Sequence, residues 1–206
     1  MLDQTRLAAI RDTIRDLVED LDEYEDLPPE EPPTSPLEEE DEAAPTTLPV
    51  LAPEALKPAW RGETPVICTA GRNPLDEAAA LMLAQLLRKH GIAASVQGPQ
   101  GLSETAADRS IYAGAAMLCL SYVDLSTPAH MRYAIRRLRR MAPGAKVLIG
   151  CWSADLDPQA LETLRESVKA DLAATSLRQA LALCIDQAAD PDAVVPATRE
   201  DAVTAA

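Results

Sequence analysis

Near the start of the chain, apolar residues recur at Leu7, Ile10, Ile14, Leu17 and Leu21. Steps of three and four predict an amphipathic helix within residues 1–24, with those five side chains as its contact seam. A helix this short is marginal alone and needs a surface, which the chain's own body, a second copy or another protein would supply. The periodicity then stops. Residues 25–60, "EDLPPEEPPTSPLEEEDEAAPTTLPVLAPEALKPAW", are dense in Pro and carboxylates. Such a composition buries too little apolar surface to offset ordering entropy, which predicts a disordered, self-repelling linker.

From residue 64 onward short apolar runs alternate with longer helical periods. Strands are predicted at 65–70, 92–97, 115–123, 146–152 and 170–176, and helices at 75–90, 103–111, 128–141, 158–168 and 176–188. Five βα units in succession specify a parallel sheet covered on both faces. Right-handed crossovers make the flavodoxin-like order 2-1-3-4-5 the economical one. The expected fold class is thus a three-layer α/β domain over residues 61–190, preceded by the helix and linker and followed by a flexible tail, 191–206.

Composition refines this picture in three ways. The formal charge is −14, but residues 1–45 hold 16 Asp/Glu against 3 Arg, and the rest holds 17 acids against 16 bases. A nearly neutral body lacks the basic footprint of a nucleic-acid binder, and 3% aromatic content with no Phe leaves little for base stacking. The four cysteines, Cys68, Cys119, Cys151 and Cys184, each lie inside an apolar run with no CxxC spacing, as reduced core thiols of a cytosolic protein would. No run approaches the ~18–20 apolar residues of a membrane span.

A doubly wound sheet binds ligands at the carboxyl ends of its strands. That rim collects Arg72, Asn73 and Asp76 after strand one, Ser121 and Asp124 after strand three, and Gly150, Trp152 and Ser153 after strand four. A phosphate cradle needs several glycines and a helix start free of negative charge, whereas "AGRNPLDE" has one Gly and places Asp76 and Glu77 in the first turn. Cys68 lacks a phosphatase arginine six residues on, where Pro74 stands, and Asp124 lacks the acidic and Lys companions of a response-regulator site. The histidines, His90 and His130, sit at helix ends without ligand spacing, so no metal site is expected. In "HMRYAIRRLRRM", Met131, Ala134, Ile135, Leu138 and Met141 form one stripe and Arg132, Arg136, Arg139 and Arg140 the opposite face. That face is either simply solvated or meets an anionic surface, such as phospholipid headgroups or the acidic leader.

The segments "LDEAAALMLAQLLRKHG", "LCLSYVD", "HMRYAIRRLRR" and "VLIGCW", in that order, resemble the cobalamin-binding-like domain at the cytosolic C-terminus of many autoinducer-2 exporter family permeases. The resemblance spans residues 65–152. It rests most on the Asp-Glu pair opening the first helix, the His-x-Arg-Tyr and the Gly-x-Trp. It implies a cobalamin-binding-like fold. True cobalamin domains carry Asp-x-His-x-x-Gly after strand one, with the His on cobalt; counted back from Gly91, those positions fall near Pro74, Asp76 and Ala79. Ser121 stands at the Ser of their Ser-x-Leu segment and Gly150 at the first of their paired glycines. With the His missing, histidine-ligated cobalamin is not expected. The permease's membrane half is absent from this sequence, so transport does not carry over. The resulting expectation is a non-enzymatic cytosolic regulatory or interaction module, partnered by a membrane permease or by itself through the first helix. The alternative is a sensor binding a corrinoid, heme or nucleotide at the rim.

Overall fold

The computed structural model describes residues 4–22, 24, 47–102, 110–124, 126–152 and 156–191 of the 206. Five parallel strands, β1 (Val66–Ala70), β2 (Ala94–Gln97), β3 (Met117–Tyr122), β4 (Lys146–Cys151) and β5 (Leu172–Ala174), form one sheet in the order β2-β1-β3-β4-β5. The helices are α1 (Gln4–Asp22), α2 (Pro74–Lys89), α3 (Pro128–Met141), α4 (Pro158–Val168) and α5 (Leu177–Ala188). The expected α/β class, flavodoxin-like strand order and five βα boundaries all stand, except that the helix predicted at 103–111 lies mostly outside the described residues.

The helix starts are chemically marked. Asn73, Thr127, Asp157 and Ser176 each cap a helix through a side-chain oxygen, and Pro follows the first three at the opening helical position. On one face of the sheet, Val66, Cys68, Met117, Cys119 and Leu148 pack against α2 and α5. On the other, Ile67, Leu118, Leu120, Val147 and Ile149 pack against α3. Successive strand residues point to opposite faces, which is why two-sided burial reads as continuous apolar runs.

Two expectations are corrected. The linker predicted over 25–60 is ordered from residue 47 onward; residues 25–46 lie outside the described ones. Pro53 and Pro58 open two 3-10 turns, Pro53–Ala55 and Pro58–Trp60, which set Leu56 and Trp60 into the core. The backbone is then paired with the end of α5: Lys57 N–H donates to Ala188 O at 2.8 Å and Asp190 N–H to Ala55 O at 2.8 Å. Leu51 N–H reaches His90 O at 3.0 Å. Gly91, at φ +79°, lets the Leu51 carbonyl pass where a Cβ would sit 2.0 Å from that oxygen. Leu48, Leu51, Leu56 and Trp60, spaced among prolines and packed on the core, therefore outweigh the polar composition.

The seam of α1 is also rotated. The helix docks on α2 of its own chain, with Val18 buried and Ile14 and Leu7 half-buried. Ile10, Leu17 and Leu21 instead face outward at 38%, 54% and 50% exposure. The cause is Glu77 of α2, which sits almost buried and draws Arg15 to 2.5 Å and Arg11 to 3.4 Å. Farther along, Gln85 donates to Val18 O and Arg88 pairs with Asp22 at 2.7 Å. Arginine stems cover apolar surface while their heads pair, so the docking face is built from residues that an apolar count passes over.

Candidate functional site

At the carboxyl end of the sheet, Asp76 organises two loops at once. One carboxylate oxygen accepts from Arg72 N–H at 2.8 Å and Asn73 N–H at 3.2 Å, and the other accepts from Val123 N–H at 2.7 Å. Asn73 returns the favour by accepting from Leu75 and Asp76 N–H, which completes a capping box. Burial pushes the Asp76 carboxyl above its usual range, and the three backbone donors pull the other way. The carboxylate ties the β1–α2 loop to the segment after β3, with both of its oxygens engaged by backbone amides.

The glycine approaches beside it are filled from within. Gly150 and Trp152 point to the same side of β4, and a Cβ on Gly150 would lie 1.9 Å from the Trp152 ring. A Cβ on Gly71 would lie 2.3 Å from the Tyr122 ring, and Gly71 N–H donates to Ser121 O at 3.0 Å. Burial, with the nearby Asp76 carboxylate adding to it, raises the Tyr122 hydroxyl. Trp152 N–H donates to Tyr122 O at 2.9 Å, which links the two plugs along the rim.

The structure therefore brings Asn73, Asp76, Ser121, Gly150 and Trp152 together, while Arg72 and Asp124 lie exposed at the edge. Ser153 lies outside the described residues. Ser121 Oγ, Thr69 Oγ1 and Trp152 Nε1 are buried without a hydrogen-bond partner among the described residues. Tyr122 is absent from the expected rim set, although its place one residue beyond Ser121, beside Gly71, marks it, and Glu77, expected only as a first-turn carboxylate of α2, pairs with Arg11 and Arg15. A corrin ring does not fit this rim as it stands, because the Trp152 indole covers Gly150 and Asp76, near the position of the absent histidine, is committed to backbone amides.

Elsewhere, His90 caps the end of α2 with Nδ1 2.9 Å from Pro49 O, and His130 lies in the first turn of α3. Among the described residues no cluster of three or more His, Cys, Asp or Glu could hold a metal ion, and no helix is long and apolar enough to cross a membrane. The cysteines are buried and free; Cys119 and Cys184 sulfurs lie 3.9 Å apart, and desolvation pushes the Cys151 thiol up to about 11. On α3, Met131, Ala134, Ile135 and Leu138 are buried as the stripe requires, with Met141 half-buried. Arg132, Arg136 and Arg140 are exposed, and Arg139 reaches Asp171 at 3.0 Å. Compared with known proteins, the chain matches no family model and no curated protein.

Proposed function

We propose that this chain is a non-enzymatic regulatory or interaction module on a cobalamin-binding-like variant of the flavodoxin-like fold. The observation that supports this most is the filling of the rim from within, by Trp152 over Gly150 and Tyr122 against Gly71. A contact surface is offered by the outward stripe of α1, Ile10, Leu17 and Leu21, flanked by exposed Asp12, Asp16, Glu19 and Asp20. Carboxylates beside an apolar stripe repel a second copy and suit a partner helix with Lys/Arg flanks. Cytosolic segments of permeases carry an excess of such residues, which matches the partner class that the sequence resemblance implies.

The test is a titration with an 18-residue amphipathic Leu/Lys helix and its Leu/Glu counterpart as probes. Salt-sensitive binding of the Lys helix alone, lost in Leu17→Glu/Leu21→Glu, is expected. Equal binding of both peptides, no effect of the double variant, or a concentration-dependent dimer by sedimentation overturns the reading.

A second reading, a rim sensor for a flat ligand, is favoured by the unpartnered Ser121 Oγ and Trp152 Nε1. It requires Trp152 to leave Gly150. Absorbance titration with hydroxocobalamin and adenosylcobalamin separates the two: saturable binding below ~100 μM, about 5.5 kcal/mol, supports the sensor and counts against the interaction module.

A further inference from the structure

The groove between α3 and α4 is independent of both the rim and α1. It forms a cavity of about 310 Å³ whose lining includes Arg132, Arg136, Arg139 and Lys169 over Ile135 and Val168. The two apolar residues are each 1% exposed and make a closed floor. Arg132 and Arg136 stand four residues apart, hence on one side of the helix. Neither guanidinium makes a hydrogen bond or ion pair among the described residues. Arg139 is held by Asp171, which also accepts from Val147 N–H at 2.7 Å, and no acidic residue among those described lines the cavity.

Lys169 adds an observation of a different kind. It follows the last turn of α4 at φ 64°, ψ 39°, and is the one non-glycine residue with positive φ among those described. Glycine is the unstrained choice at a left-handed helix end. Lys169 lines the cavity and its carbonyl accepts from Arg139 at 3.0 Å, while its exposed side chain makes no hydrogen bond or ion pair among the described residues, so a lysine there carries a conformational cost that no such contact offsets.

From this geometry we infer that the groove between α3 and α4 binds a phosphate monoester carrying a short apolar body. The guanidinium forks of Arg132 and Arg136 take the phosphate oxygens, Lys169 adds a point charge, and the Ile135–Val168 floor takes the apolar part. The volume is at the small end of ligand sites, which limits the body to a short chain or a single ring. The same chemistry is presented by a soluble ester and by a phosphatidic acid headgroup.

The test uses the full chain, with hexyl phosphate, inorganic phosphate and hexanol as calorimetric probes, and vesicles of phosphatidylcholine with and without phosphatidic acid for flotation. Hexyl phosphate should bind more tightly than either fragment. Arg132→Gln and Arg136→Gln should each raise Kd about tenfold or more, the size of a lost hydrogen bond to a charged group. Lys169→Gly supplies the readout that a structural role would not give: its melting temperature should rise while its affinity falls. Flotation on phosphatidic acid vesicles with the same variant sensitivity, without binding of hexyl phosphate, assigns the site to lipid headgroups. Absence of both, or binding indifferent to the three variants, overturns the inference.

Discussion

Asp76→Asn isolates the clamp at the rim, because it keeps the size of the side chain and removes one acceptor. The carboxylate receives three backbone N–H groups, two on one oxygen and one on the other. An asparagine can turn its carbonyl toward Arg72 and Asn73, but its NH2 then meets the Val123 N–H, donor against donor. One hydrogen bond to a charged group is lost, at about 1.5–3 kcal/mol, and a buried donor is left without a partner. The expected destabilisation is about 2–3 kcal/mol, or roughly 4–12 °C in melting temperature for a chain of this length. Urea unfolding followed by far-ultraviolet circular dichroism measures it. A variant within ~0.5 kcal/mol of the parent would refute the clamp and return Asp76 to the status of a spare carboxylate at the rim.

The pH dependence of the same comparison has a definite sign. Burial raises the folded-state pKa of Asp76 above the ordinary value of about 3.9. The folded state then holds this proton more tightly than the unfolded one. The stability contributed is full below pH ~3.9 and is lost as pH rises through the raised folded value. The asparagine variant lacks this contribution, so the gap between parent and variant should be widest at the acid end and should narrow and then level off toward pH 7. A gap that grows from pH 4 to pH 7 would mean that the three amide donors outweigh burial.

Three further outcomes follow from other contacts. Trp60→Ala should cost about 3–5 kcal/mol in urea unfolding, the range for deleting a buried large aromatic, and a loss under 1 kcal/mol would show that the strap over residues 47–60 adds little to the fold. Glu77→Gln should release α1 without unfolding the sheet, seen as at least tenfold faster hydrogen exchange over residues 4–22 with the exchange of β1, β3 and β4 unchanged. At pH 8 the Cys151 thiol, at about 11, is ionised to about one part in a thousand, so iodoacetamide should leave it unmodified in the native protein and label all four cysteines in urea; fast native labelling would contradict its burial.

The sheet and its strand order are legible because each βα unit carries its own punctuation. Pro74, Pro128 and Pro158 follow capping residues at the helix starts, and the strands between them are apolar on both faces. The strap was illegible for the opposite reason. Its prolines and carboxylates dominate any window average, and only the core formed by the sheet, α2 and α5 gives Leu56 and Trp60 something to cover. The docking face of α1 was misread because hydrophobic spacing alone selects Leu7, Ile10, Ile14, Leu17 and Leu21, whereas a buried Glu77 on another helix selects Arg11 and Arg15. At the rim, topology alone collects Asp76, Ser121, Gly150 and Trp152. It cannot tell whether a glycine admits a ligand or a neighbouring ring, since that is decided by the rotamers of Tyr122 and Trp152.

Asp76 and Glu77 are consecutive, yet their side chains diverge by about 100° around α2. One fixes the rim loops and the other fixes α1, so a single helical turn anchors both. Beyond Val123, the same connection leads to Thr127 and the start of α3, four residues before Met131 and five before Arg132. A contiguous path thus joins the outward stripe of α1 to the arginine cavity on the far face of the sheet. Contiguity is not coupling, however, because transmission needs an element with two alternative arrangements. Here each link is held in one: Asp76 by three amides, Glu77 by two guanidiniums, and the loops by plugs that leave no room at Gly71 or Gly150. With the clamp intact, occupation of α1 and of the cavity should be additive, as distant sites without shared partners are.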